Sequence, residues 1–265
     1  MPVLERNNVV VHGTGPEAMV FAHGFGCDQT MWRFVEPEFR RDFKTVRYDL
    51  TGCGKSDLSQ YDFKKYASLE GHADDLIGIL DELNLTGITF VGHSVSAMTG
   101  LLASIRQSGR FRRMIMAGPS PCYVNDRDYV GGFEADQIES LLNTLSLNYL
   151  SWSRSMAPAI MGNPARPELG EELTNRFCSN DPKIASHIAR VTFYGDQRKE
   201  LPLCHTPSLI LQCSEDLIAP LEVGHYLHRH LADSQLVVMK ATGHCPNLSA
   251  PEEMIACMRA YLEQS

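Results

Sequence analysis

The chain has 265 residues, 43% hydrophobic and 21% charged, with 24 Lys+Arg against 32 Asp+Glu and a formal net charge of −8. The length fits one large domain, or one domain with an insertion, and buries enough surface to fold without staples. The acidic balance argues against a nucleic-acid partner, no 18-residue apolar run argues for a membrane span, and the start MPVLERNNVVVHG lacks a secretory-signal pattern.

Short apolar runs at residues 9–11, 19–22 and 45–48 read as buried strands, each bounded by Gly, Pro, Asp or His. In residues 69–83 the positions Leu69, Ala73, Leu76, Ile77, Leu80 and Leu83 follow the i, i+3, i+4 spacing of an amphipathic helix. A strand at 88–91 runs into a helix at 95–106, and another strand follows at 114–117. The alternation then breaks. Between Cys122 and Pro202 no strand is evident, and helix-like pieces lie near 134–149, 168–177 and 182–193. Strands resume at 208–213 and 236–239. A last helix at 251–262 opens with Pro251 and two Glu, which suits a helix N-terminus. Such alternation predicts an α/β fold with a mostly parallel sheet covered on both faces. The expected division is a core of residues 1–121 and 196–265, with residues 122–195 as a helical lid or second domain.

The eight cysteines, Cys27, Cys53, Cys122, Cys178, Cys204, Cys213, Cys245 and Cys257, form no CxxC pair and no metal spacing. Buried free thiols in a reducing, cytoplasmic compartment are the expectation.

Three motifs carry chemistry. Val91-Gly92-His93-Ser94-Val95-Ser96 places Ser94 on a strand-to-helix turn, the setting of the G-x-S-x-G nucleophile elbow, with Ser96 in place of the last Gly. Such a turn lifts the hydroxyl clear of the sheet and aims the Val95 N–H at a forming oxyanion. Ala22-His23-Gly24-Phe25-Gly26 follows a strand and offers the Phe25 N–H as the second oxyanion donor. Asp216, after the strand at 208–213, and His244, after the strand at 236–239, complete the order Ser, Asp, His. Glu215 is the rival acid. The bland alternatives are an ordinary turn at Ser94 and a Gly-rich turn at 23–26; the joint order of all three motifs favours chemistry.

Other patterns read as structure. Gly52-Cys53-Gly54-Lys55-Ser56 resembles the end of a phosphate loop but has Asp49 where that motif needs Gly. His225, His228 and His230 read as a solvated helix surface, and Asn125-Asp126-Arg127-Asp128 as a polar turn.

On these residues the chain resembles the α/β-hydrolase family. More narrowly, HGFGCDQTMW (23–32), YDLTGCGKSD (48–57), GHSVSAM (92–98), GPSPCYVND (118–126), RFCSNDP (176–182), PSLILQCSEDLIAP (207–220) and GHCP (243–246) resemble RsbQ-like bacterial stress-response hydrolases. They also resemble the plant karrikin and strigolactone receptors. The resemblance implies a four-helix lid over an apolar pocket. Phe25, Phe133, Trp152, Met156, Phe193 and Ile218 would line it, with His93 and Val95 beside the nucleophile. It implies a small, apolar ligand bearing an ester, lactone or enol-ether carbonyl, with no metal or cofactor. Two functions follow: a serine hydrolase, or a slow-turnover sensor that signals to a protein partner such as a PAS-domain phosphatase. A hydroxynitrile lyase is a distant third.

Overall fold

A computed structural model describes residues 1–264. The apolar runs pair into one sheet of seven strands: β1 (Val10–His12), β2 (Glu17–Ala22), β3 (Phe43–Tyr48), β4 (Ile88–His93), β5 (Phe111–Ala117), β6 (Ser208–Glu215) and β7 (Ser234–Thr242). Their order across the sheet is β1-β3-β2-β4-β5-β6-β7, and only β1 runs antiparallel to its neighbour. Parallel strands need crossover connections, and the helices that supply them cover the sheet. Central β4 is buried along its whole length, which is why it reads as an unbroken apolar run. Edge strand β7 is exposed at Gln235, Val238 and Lys240 and extends beyond the expected 236–239 because its flanks are polar.

Ten α-helices occur among the described residues: α1 (Val3–Arg6), α2 (Glu70–Glu82), α3 (Val95–Arg106), α4 (Ala135–Leu147), α5 (Tyr149–Met161), α6 (Pro167–Cys178), α7 (Pro182–Phe193), α8 (Leu221–His230), α9 (Pro246–Ser249) and α10 (Pro251–Glu263). One sheet face packs on α2, α3 and α8, through residues such as Leu76, Leu101 and Leu227. The other packs on α10 and the segment around Trp32 and Phe39. A buried Leu here contributes about 1.5–3 kcal/mol from apolar burial.

The four helices α4 to α7 form a third apolar cluster of their own. It also includes Cys27, Met31, Ile218 and Cys245 from the loops at the C-terminal sheet edge. The periodicity found three of these helices and missed α5. The expected helix at 134–149 stops at Leu147, and the Asn148 side chain caps a new helix by accepting from the Ser151 N–H at 3.0 Å. Pro158 and three serines inside α5 hide it from a pattern search. Gly170 of α6 packs directly against Pro158, so tertiary contact offsets the weak propensity.

Candidate active site

Ser94, Asp216, His244 and Phe25 each follow a strand, β4, β6, β7 and β2 respectively, at the C-terminal edge of the sheet. Ligands bind at this edge in open α/β sheets. Ser94 itself has φ +55° and ψ −125°, an uncommon conformation for a residue with a side chain. Tight packing around the turn holds it there. A Cβ on Gly92 would lie 2.8 Å from the Ala97 backbone, so only glycine lets α3 approach β4 this closely. Strain of this kind concentrates at functional sites.

The three side chains form one hydrogen-bonded chain. His244 Nδ1 lies 2.8 Å from Asp216 Oδ2, and His244 Nε2 lies 2.8 Å from Ser94 Oγ. With Nδ1–H donating to the carboxylate, Nε2 presents its lone pair to the serine hydroxyl. The other Asp216 oxygen accepts the Ile218 and Ala219 N–H groups at 2.8 and 3.1 Å, which fixes the carboxylate. Glu215 is exposed at the end of β6, and the triad-like contact is made by Asp216. The His244 backbone is held as well. Its N–H donates to Ile160 of α5 at 2.9 Å, and its carbonyl accepts from His93 Nε2 at 2.7 Å. Burial, followed by the neighbouring His244, pushes His93 down to about 3, so it stays neutral.

Neither the Phe25 nor the Val95 backbone N–H donates to another group among the described residues. Gly24 brings the first of them close, since a Cβ there would lie 3.2 Å from Ser94 Cβ. Two free N–H groups flanking a serine hydroxyl can hold an oxyanion.

Above Ser94 lies a narrow cavity, with about 30 Å³ open to the centre of a water-sized sphere. Of the expected lining, Phe25, His93, Trp152, Phe193 and Ile218 reach it. Met156 and Phe133 do not, and this corrects the sequence expectation. Met156 faces an outer groove between α4 and α5, because Trp152, one turn earlier, occupies the inner position. Phe133 sits behind Phe193, edge to face, with ring centroids 6.3 Å apart. Val95, expected beside the nucleophile, follows Ser94 directly and does not line the cavity. Sequence reasoning missed Tyr123, Ile160, Leu173, Phe177 and Thr192, which all line the cavity. Tyr123 and Phe177 lie inside two of the resembling segments, and Leu169, Leu173 and Phe177 form an apolar i, i+4, i+8 stripe. The walls are aromatic. The rings of Trp152 and Phe177 stack at 5.8 Å, and Phe25 meets Phe177 edge-on at 5.7 Å. The buried Thr192 hydroxyl has no hydrogen-bond partner among the described residues, and the buried Tyr123 hydroxyl approaches the Ser94 side chain. Burial pushes the Tyr123 phenol up to about 12, so it remains a neutral donor.

The decoys resolve as turns and surface. Asp49 accepts from the Gln29 and Lys55 N–H groups at 2.7 and 2.9 Å, and thereby ties residues 52–56 into a tight turn. His225 and His228 are exposed on α8. No metal-holding cluster of His, Cys, Asp or Glu occurs among the described residues. No helix among them is long and apolar enough to cross a membrane. All eight cysteines are free.

The model of the Alpha/beta hydrolase family matches residues 19–256. A strigolactone esterase from Pisum sativum is 38% identical over 265 residues, covering 99% of each chain. A karrikin insensitive 2 receptor from Petunia hybrida is 36% identical, covering 98% of this chain and 97% of that protein. The solved structure of a hydrolase from Oleispira antarctica superimposes with TM-score 0.96 at 39% identity, covering 99% of this chain and 97% of that one. The chain belongs to the alpha/beta hydrolase family.

Proposed function

We propose that this alpha/beta hydrolase cleaves a small, apolar ester, lactone or enol ether through Ser94, His244 and Asp216. The observation that carries the reading is the continuous Ser94–His244–Asp216 chain beneath an apolar cavity, with two free N–H groups beside the serine. Ser94 Oγ attacks the carbonyl carbon as its proton passes to His244 Nε2. Phe25 and Val95 N–H groups hold the tetrahedral oxyanion. Collapse expels the alkoxide or enolate, which takes the proton from His244 and leaves an acyl-Ser94. Water, deprotonated by His244, then attacks the acyl carbon and releases acid and free Ser94. Asp216 holds the tautomer and stabilises the transient imidazolium. The helices of residues 122–195 act as a lid that excludes bulk water. Eight free cysteines support a cytoplasmic location.

A second reading is a ligand sensor in which turnover is slow and the lid signals to a protein, such as a PAS-domain phosphatase. The contacts of α5 and α6 with the loops around His244 and Phe25 favour it, as does the similarity to proteins named receptors. Stopped-flow mixing with p-nitrophenyl acetate, with intact mass alongside, tests both. Wild type releases p-nitrophenol and forms one acyl adduct per chain, and Ser94→Ala does neither while keeping its circular dichroism spectrum. Fast steady turnover supports the enzyme. A one-equivalent burst with a lasting adduct supports the sensor. Equal rates in wild type and Ser94→Ala would overturn both.

A further inference from the structure

Where the nucleophile-elbow pattern ends in glycine, this chain carries Ser96. Ser96 is fully buried in the first turn of α3, next to Val95. Its hydroxyl donates to the backbone carbonyl of His23 at 2.5 Å. No other group among the described residues donates to that carbonyl. His23 begins the loop that brings Phe25 to Ser94. One side-chain hydroxyl therefore joins two backbone segments: α3, which carries Val95, and the loop, which carries Phe25.

The direction of a backbone N–H follows from what holds the carbonyl of the same peptide, because a trans peptide points the two in opposite directions. All peptides of the described residues are trans. The Gly24 carbonyl, in the peptide that ends at the Phe25 N–H, lies 2.8 Å from His23 Nδ1 and accepts from the Cys27 N–H at 3.3 Å. The His23 ring is in turn fixed by the Leu50 N–H, which donates to Nε2 at 3.0 Å. The preceding peptide, between His23 and Gly24, has Ser96 as its only hydrogen-bond anchor among the described residues. Gly24 adds no side chain to resist rotation between these two peptide planes.

We propose that Ser96 is a positioning residue: its hydroxyl locks the oxyanion loop against the nucleophile turn and so aims the Phe25 N–H. Ser96 lies beneath the turn and touches no reacting atom. The proposal rests on the reading of Ser94 as the nucleophile.

The test compares wild type, Ser96→Ala and Ser96→Gly as full chains. Three quantities are read: the acylation rate from the p-nitrophenyl acetate burst, the half-saturating ester concentration, and the affinity for propylboronic acid. The boronate forms a tetrahedral adduct on Ser94 with an oxygen where the oxyanion sits. The proposal expects acylation to slow 10- to 100-fold and boronate affinity to weaken by a similar factor, with half-saturation changed less than twofold. Ser96→Gly gives the general G-x-S-x-G elbow without the hydroxyl, so it carries the test should Ser96→Ala fold poorly. Acylation and boronate affinity within twofold of wild type in either folded variant would overturn the proposal. So would a loss that falls equally on half-saturation and melting temperature, since that marks a packing role alone. If Ser94→Ala acylates as fast as wild type, the nucleophile reading fails and the proposal falls with it. Ser94-dependent acylation with unaffected Ser96 variants removes the proposal and leaves the nucleophile reading intact.

Discussion

His93 precedes Ser94 and is held neutral by burial, with its pKa pushed down to about 3. His72 on α2 is pushed down to about 4, again by burial, and His23 is lowered for the same reason. In the unfolded chain all three return to the ordinary value near 6.5. The unfolded state therefore takes up protons below about pH 6.5 that the folded state refuses, and stability falls as the pH drops through that point. Each histidine contributes up to about 1.4 kcal/mol per pH unit in this window. Asp28 and Glu36 have pKa values lowered below the ordinary carboxylate range, so their contribution is lost only at lower pH. Between pH 6.5 and 4.5 the histidines dominate. Urea midpoints at pH 7, 6 and 5 are expected to fall steadily, and His72→Phe, which removes one titrating ring stacked near Tyr66, should flatten the slope by about one proton. A wild-type midpoint constant from pH 7 to 5 would refute this.

At the scale of elements, strand ends and helix starts were legible because local chemistry fixes them. The Gly92–Ser96 turn, the run of β4 and the helix of α3 are all local, and so were readable. What the helices from 122 to 195 hold onto was not, because those contacts join residues 79 to 154 positions apart. The C-terminal end of α5 grips the His244 loop: Asn163 donates to the Thr242 carbonyl at 2.9 Å, and Ile160 accepts the His244 N–H. The C-terminal end of α6 grips the Phe25 loop: Asn180 donates to the Gly26 carbonyl at 2.8 Å, and Arg176 pairs with Asp28 at 2.8 Å and Glu172 at 2.7 Å. Arg176 is mostly buried, so its replacement leaves two carboxylates without their shared partner. Arg176→Met is expected to destabilise the chain by about 2 kcal/mol in urea denaturation. Hydrogen exchange should speed up in residues 167–178 and 23–30 together, while α2 and α10 are unaffected. Faster exchange in α6 alone would mean that the helix and the Phe25 loop are not coupled.

For the whole molecule, the same division explains which parts of the site a sequence discloses. The floor of the cavity belongs to the sheet edge, where motif order identifies residues one by one. The roof belongs to α5, α6 and α7, where only packing decides which side of a helix faces inward. The family resemblance, and not the helix pattern, puts Trp152 and Phe193 on the cavity; it also puts Met156 there, which faces the outer groove, and it does not single out Leu173 and Phe177. The roof also sets the size of what the site accepts. The centre of a water-sized sphere can range over only about 30 Å³ of the cavity, so the space between its walls is narrow. An acetyl group fits in that space. An octanoyl chain fits only if Leu173, Phe177 or Trp152 moves, and the Phe177 and Trp152 rings stack on each other and both meet Phe25 edge-on. For p-nitrophenyl esters, kcat/KM is therefore expected to fall at least tenfold from acetate to octanoate. Leu173→Ala opens the roof without touching the Ser94 chain and shifts the preference toward butyrate and hexanoate, at a cost in stability of about 2–5 kcal/mol. A flat chain-length profile in wild type would mean that the roof stands open in solution, and then the closed cavity would not set specificity.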